Sequence, residues 1–278
     1  MLSIRYRVGG FVFNKRSLLG RSHCPYCRKT LGWYELIPLV SYLIQKGRCR
    51  GCKGPLSVQY PVVELISGVV FAEVPSRLKE IIGGLAPTLL EGSAFFEISV
   101  LCWLLFSTIL ILIAVIDFRD RVVPDELNVA IILVGLIYAA ALSAAPDIGF
   151  TGGSTIGKFA LLLGFQKSII INRLLASFAA IAFFGIIIAG SRGRAMGMGD
   201  LKLGGAAGIF LGWPDIALSL ALAFILGSLF SLPLLFTRKK TMKDTVPFAP
   251  FIVAGMFTLF FFGEELVSGY LKLFGYFN

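Results

Sequence analysis

Residues 98–116 read ISVLCWLLFSTILILIAVI, nineteen positions without a charged side chain. A helix rises about 1.5 Å per residue, so this run reaches about 28 Å, the thickness of a bilayer's hydrocarbon core. The runs at 127–146, 174–190 and 215–236, the last opening on Asp215, are similarly apolar. Over the whole chain 56% of residues are hydrophobic and 15% charged, where soluble domains carry roughly 25% charge. These runs predict an all-α polytopic membrane protein embedded in the lipid bilayer. Spans are expected at 58–74, 95–116, 127–146, 171–190, 200–213, 215–236 and 248–274, about seven transmembrane helices. The fifth is short and Gly-rich, which suits a tilted or partly inserted segment. Residues 75–94 and 147–170 read as long outside connections, with Ile156–Phe165 apolar enough to lie along the membrane surface.

The net charge of +10 is unevenly distributed. Residues 1–57 contain 11 of the 26 Lys and Arg and a single acid, Glu35. Further basic groups lie at Arg119/Arg121, Arg192/Arg194/Lys202 and Arg238/Lys239/Lys240/Lys243. Short basic loops mark the cytoplasmic side of a membrane protein, where they face anionic headgroups. That account needs no nucleic acid, and none is expected as a partner. Seven crossings from a cytosolic N-terminal module bring 117–126, 191–200 and 237–247 back inside, in agreement with the charge. The start of the chain lacks the apolar core and cleavage site of a signal peptide. The chain therefore divides into a cytosolic module over 1–57 and a membrane domain over 58–278.

The module carries Cys24-Pro-Tyr-Cys27 and Cys49-Arg-Gly-Cys52. Two C-x2-C knuckles offer four thiolates, the set for a closed, structural zinc. A module of this size needs such a staple, and Gly51 and Gly54 would ease the second turn. Disulfides would need an oxidising compartment; four reduced thiols in a small core are the metal-free alternative. His23 could substitute as a ligand or be a solvated turn residue. Cys102, within an apolar span, reads as a small buried hydrophobe.

Acids are scarce, and two stand at span edges. Asp117 ends the run Ile109–Ile116, and Asp200 closes Gly197-Met198-Gly199-Asp200 before another apolar segment. Ionisable groups at the hydrocarbon boundary are functional candidates. Two carboxyls brought together in a low-dielectric site share one proton, the arrangement that activates water against an amide. Gly197 and Gly199 would let a substrate strand approach the backbone. Structural roles compete with this. Asp200 could cap the helix it opens, Asp125 after Pro124 has the look of an N-cap, and Asp117 could pair with Arg119 or Arg121. Asp120 reads as a solvated loop charge, and Lys202 as a residue that snorkels to the headgroups or tunes Asp200.

These motifs together resemble the type IV prepilin peptidase family. The likeness runs through Ser22-His23-Cys24-Pro25-x-Cys27, Ile37-Pro38-x-x-Ser41-Tyr42-Leu43, Gly47-x-Cys49-x-x-Cys52 and Tyr60-Pro61-x-x-Glu64. It continues through Ile116-Asp117 to Pro124-Asp125, Gly197-Met198-Gly199-Asp200-x-Lys202 and Val246-Pro247-Phe248-Ala249-Pro250-Phe251. The resemblance implies a bacterial inner-membrane aspartyl endopeptidase with Asp117 and Asp200 as its catalytic pair and Gly197, Gly199 and Lys202 in the active-site loop. It implies prepilins or pseudopilins as substrates, cut after a Gly on the cytoplasmic side, and N-methylation from S-adenosylmethionine as a second activity. Hydrolysis of this type needs no metal, so zinc on Cys24, Cys27, Cys49 and Cys52 would be structural.

Two departures bear on these expectations. Members begin with a further span ending in Gly-Ser-Phe-Leu-Asn, whereas Met1-Leu2-Ser3-Ile4-Arg5-Tyr6 resembles the tail after it; cleavage is thus expected to survive more readily than methylation. Ala249 replaces the usual Gly of the late motif. Rival readings are a peptidase for another short leader, such as preflagellin, and a zinc-sensing transporter. The cysteine module disfavours the first. Acids at one edge and the absence of an inverted repeat disfavour the second.

Overall fold

The computed structural model describes residues 5–8, 11–14, 22–24, 26–85, 93–145, 153–163, 168–194, 196–236 and 247–275. The expected basic loop at Arg238–Lys243, together with Val246 and the first four residues, lies outside the described residues. The chain forms two compact units, Met1–Glu73 and Val74–Asn278.

In the first unit, β1 (Arg5–Val8) and β2 (Phe11–Asn14) form an antiparallel hairpin with Arg5 opposite Asn14. These two short strands are additions to the expected helical content. A 3-10 turn at Trp33–Glu35 and the short helix α1 (Val40–Ile44) follow. Helix α2 (Gln59–Leu85) runs through Pro75, so residues 75–85, expected in a connection, are helical; the division between the units falls within it. The second unit continues with α3 (Ala94–Asp120), α4 (Asp125–Ser143), a 3-10 segment at Gly157–Leu163, α5 (Ile169–Gly190), α6 (Met198–Leu211), α7 (Asp215–Phe236) and α8 (Ala249–Leu273).

Among the described residues five helices are long and apolar enough to cross a membrane: α3, α4, α5, α7 over Asp215–Pro233, and α8. The segments expected as spans at 58–74 and 200–213 are helical but are not among these five. Helix α2 is interrupted by Glu64 and Glu73, and by Arg77, Lys79 and Glu80 further on. Helix α6 has 14 residues, about 21 Å of rise, too short for a core of about 30 Å.

What α6 does instead follows from its small residues. It packs between α4 and α5 and buries Gly204, Gly205, Ala206, Ala207 and Gly208. A Cβ on Gly208 would come within 2.7 Å of the Ser177 backbone in α5. Small side chains of this kind let helix backbones approach within a membrane, where dispersion and not the hydrophobic effect drives association. Gly255 does the same for α8, where a Cβ would collide with the Ser219 carbonyl of α7. Aromatic rings fill the space between α3, α4, α6 and α8. Phe106 and Phe210 stack at 3.8 Å, and Trp103 lies 4.1 Å from Phe260.

The start of the segment before α5 packs inward. Ile156 and Ala160 are fully buried against Leu259, while Leu161, Leu162 and Leu163 remain exposed. The reason is Asp215. At 1% exposure it accepts hydrogen bonds from Ser154 Oγ at 2.5 Å, Thr155 N–H at 2.7 Å and Thr155 Oγ1 at 2.8 Å. These three donors pin residues 154–155 to the start of α7 and draw Ile156 into the core. Asp215→Ala strands them, and each orphaned buried group costs roughly 1–3 kcal/mol. Thermal unfolding of detergent-solubilised protein is expected to show a loss of about 3 kcal/mol.

Candidate functional site

Four helix ends meet where the membrane-edge acids lie. Helix α3 ends because Arg121 turns to φ 55 and its N–H bonds the Asp117 carbonyl. Pro124 then fixes the entry to α4. On the far side of the chain, Gly197 opens α6 in an extended conformation, placing Asp200 at its third helical position. The two acids are separated by more than eighty residues yet stand at the same end of the second unit. Asp117 is 6% and Asp200 9% exposed, and each carboxylate is within electrostatic reach of the other. Asp117 Oδ2 accepts the backbone N–H of Ala249 at 3.2 Å, which ties α3 to the first turn of α8. Arg121 also acts electrostatically on Asp117, and the Gly197 backbone hydrogen-bonds to Asp200.

The expected loop residues lie with Asp200 at the start of α6. Gly199 lies against the α3–α4 turn, where a Cβ would come within 3.0 Å of Val123 Cβ. A Cβ on Gly197 would lie 3.8 Å from Asp200 Oδ2. Lys202 reaches Asp125 at 2.8 and 2.9 Å, so Asp125 pairs across to α6, and Pro124 holds the N-cap position. Nothing local in the sequence joins Lys202 to Asp125. Asp120 is exposed beside Arg119 at 3.9 Å. The Lys202–Asp125 pair is solvent-exposed on both sides, and exposed pairs contribute about 0–1 kcal/mol. Lys202→Gln is therefore expected to shift the unfolding free energy by less than about 1 kcal/mol.

In the first unit the two knuckles are built alike. Cys24 N–H bonds the Lys29 carbonyl at 3.0 Å, and Cys49 N–H the Gly54 carbonyl at 2.9 Å. Arg28 and Lys53 take the left-handed turn position, with φ 55 and 59. Bridges at His23–Thr30 and Arg48–Pro55 close the two loops. In the second knuckle the left-handed turn position is thus Lys53 and not Gly51 or Gly54. Gly54 instead leaves room for the Tyr26 ring, 2.7 Å from where a Cβ would stand.

The four sulfurs of Cys24, Cys27, Cys49 and Cys52 all lie within 4.8 Å of one another. A Zn–S bond of about 2.3 Å gives a tetrahedron with an edge of about 3.8 Å, and Cys24 Sγ to Cys52 Sγ measures 3.8 Å. The Cys27 and Tyr26 backbone N–H groups lower the Cys24 thiol to about 6, favouring the thiolate that a metal requires. The Gly54 backbone pulls Cys52 down, but desolvation and the other three sulfurs push it up to about 11. Sulfurs this crowded suit a shared cation. The cluster could hold a metal ion with all four positions filled by protein. His23 is exposed and is not part of the group.

Two family models match the chain. The Bacterial Peptidase A24 N-terminal domain covers residues 5–77, and the type IV leader peptidase family covers residues 104–232. The four cysteines fall in the first stretch and both aspartates in the second. Among similar proteins, the prepilin leader peptidase/N-methyltransferase of Bacillus subtilis (strain 168) is 28% identical over 91% of this chain and 86% of its own length. Proteins of the same description from Aeromonas salmonicida (strain A449) and Legionella pneumophila are each 28% identical, over 92% and 91% of this chain and 76% of their own lengths. No solved structure matches.

Proposed function

The chain belongs to the type IV leader peptidase family, and on that premise we propose that it cuts the leader of prepilins or pseudopilins, with Asp117 and Asp200 as the catalytic pair. The observation that carries this reading is the meeting of two buried carboxylates at one end of the helical unit, brought there by segments distant in sequence. One carboxylate takes a proton from water as its oxygen attacks the scissile carbonyl carbon. The other, protonated, donates to the carbonyl oxygen. The tetrahedral intermediate then collapses, the C–N bond breaks and the amine leaves with a proton. Low exposure keeps bulk water from competing for these protons. Gly197, without a side chain, leaves room for an extended substrate beside Asp200, Gly199 lets the start of α6 pack against Val123, and Ala249 N–H holds Asp117 in place.

The protein sits in the bacterial inner membrane, and the basic loops beside the aspartates support a cytoplasmic active site. Zinc on Cys24, Cys27, Cys49 and Cys52 supplies folding energy to the first unit and takes no part in hydrolysis. The named activity of the relatives supports N-methylation of the new N-terminus as a second step, with S-adenosylmethionine as methyl donor. Co-expression with a prepilin tests both activities. Mass spectrometry is expected to show a shortened, N-methylated pilin with the wild type, and full-length precursor with either aspartate variant.

A further inference from the structure

In the first unit the 3-10 turn at Trp33–Glu35 and helix α1 pack together, and both turn apolar side chains outward. Val40, Leu43 and Ile44 stand at positions i, i+3 and i+4, one side of the helix. Leu43 is 73% and Ile44 65% exposed, while Ser41 and Tyr42 on the other side are half-buried. Trp33, 78% exposed, meets Tyr34 edge-on at 6.0 Å. Single exposed apolar residues are ordinary, but a cluster that includes an indole and a phenol marks an interaction surface.

Cations border this surface. Arg50 holds its guanidinium 5.3 Å over the Tyr34 ring, and Lys46, just past α1, is exposed. Glu35, the one acid of residues 1–57, is buried, its Oε2 accepting the Gly32 N–H at 2.9 Å. No carboxylate of residues 1–57 therefore offsets the 11 basic side chains at the surface. Apolar and aromatic groups edged by Lys and Arg suit the boundary between anionic headgroups and acyl chains, a depth that Trp and Tyr favour. A second copy of the chain is a poorer occupant, because two such faces would bring like charges together.

We propose that the surface formed by Trp33, Tyr34, Val40, Leu43 and Ile44 docks onto anionic lipid, with the apolar side chains entering the acyl boundary and Lys46 and Arg50 meeting headgroup phosphates. This docking depends on the inner-membrane location and is independent of the peptidase reading.

Fluorescence of the full chain in lipid nanodiscs tests it. The difference between the wild type and Trp33→Phe isolates the emission of this ring from that of Trp103 and Trp213. In discs of phosphatidylcholine and phosphatidylglycerol with brominated acyl chains, Trp33 is expected to be quenched. Bromine near the headgroup end should quench more than bromine near the chain terminus, because interfacial faces sit about 5–10 Å into the boundary. Phosphatidylcholine alone is expected to quench less. The double variant Leu43→Ser, Ile44→Ser is expected to lose most of the quenching, with metal content and unfolding temperature unchanged. If it loses its metal or fold, Val40→Ser serves in its place, with weakened quenching expected. A Trp33 open to aqueous acrylamide and untouched by bromine overturns the proposal. A ring shielded from both quenchers also overturns it, since protein would then be the occupant. So do equal quenching with and without phosphatidylglycerol, and full quenching in a folded variant.

Discussion

Asp117→Asn and Asp200→Asn are each expected to lower the rate of prepilin cleavage by at least about three orders of magnitude, within the range that positioned acids and bases contribute. Asparagine has the shape of aspartate but can neither take a proton from water nor give one to the carbonyl. The loss should be chemical and not structural. In Asp117→Asn the new amide oxygen still accepts the Ala249 N–H that Asp117 Oδ2 accepts at 3.2 Å. Replacing either buried carboxylate also removes a like charge from its partner's surroundings, so neither variant is expected to unfold. Membrane insertion and unfolding temperature, measured beside cleavage, separate the two outcomes: inactive and folded supports the pair, and active removes it.

The second large effect concerns the metal. Purified protein is expected to carry about one zinc per chain, and the double variant Cys24→Ser, Cys27→Ser none. Structural zinc binding contributes roughly 10–16 kcal/mol of folding free energy in small modules. Among the described residues of the first unit the buried apolar side chains are Cys24, Cys49 and Val70, so two of the three belong to the cluster itself. Without the ion the thiols of its two matched knuckles, one pushed up to about 11, lose the shared cation. Proteolysis of the first unit, rapid in the variant and slow in the wild type, reads the effect. Elemental analysis showing no zinc in freshly purified protein with an intact first unit contradicts it.

Much of the helical layout is legible in the sequence because long uncharged runs admit one reading in a bilayer. The run at 98–116 is the core of α3, and the edges at Asp117 and Asp200 coincide with helix ends because charges stop apolar runs. The cysteine spacing likewise predicts a cluster, since each C-x2-C knuckle is closed by bonds within a few residues. What the sequence obscures is contact between distant segments. The glycines of 200–213 look like weakness in a span, yet they are the surface on which α5 packs. The burial of Ile156 is hidden in the same way, because Asp215 holds the adjoining Ser154 and Thr155 from about 60 residues away. Lys202 and Asp125, 77 positions apart, are invisible to any local pattern. The first and fifth expected spans are not among the helices long and apolar enough to cross, because acids are scattered through α2 and α6 has only 14 residues.

The most direct measurement is single-turnover cleavage of a purified prepilin by the wild type, the two single Asp→Asn variants and the double variant in one lipid preparation. Two carboxyls that share a proton act as one device, so removing both should cost no more than removing either, as found for catalytic groups that work as a unit. The account predicts equal residual rates for all three variants. A double variant slower than each single one by the product of their separate losses would show that Asp117 and Asp200 act independently, and would contradict it.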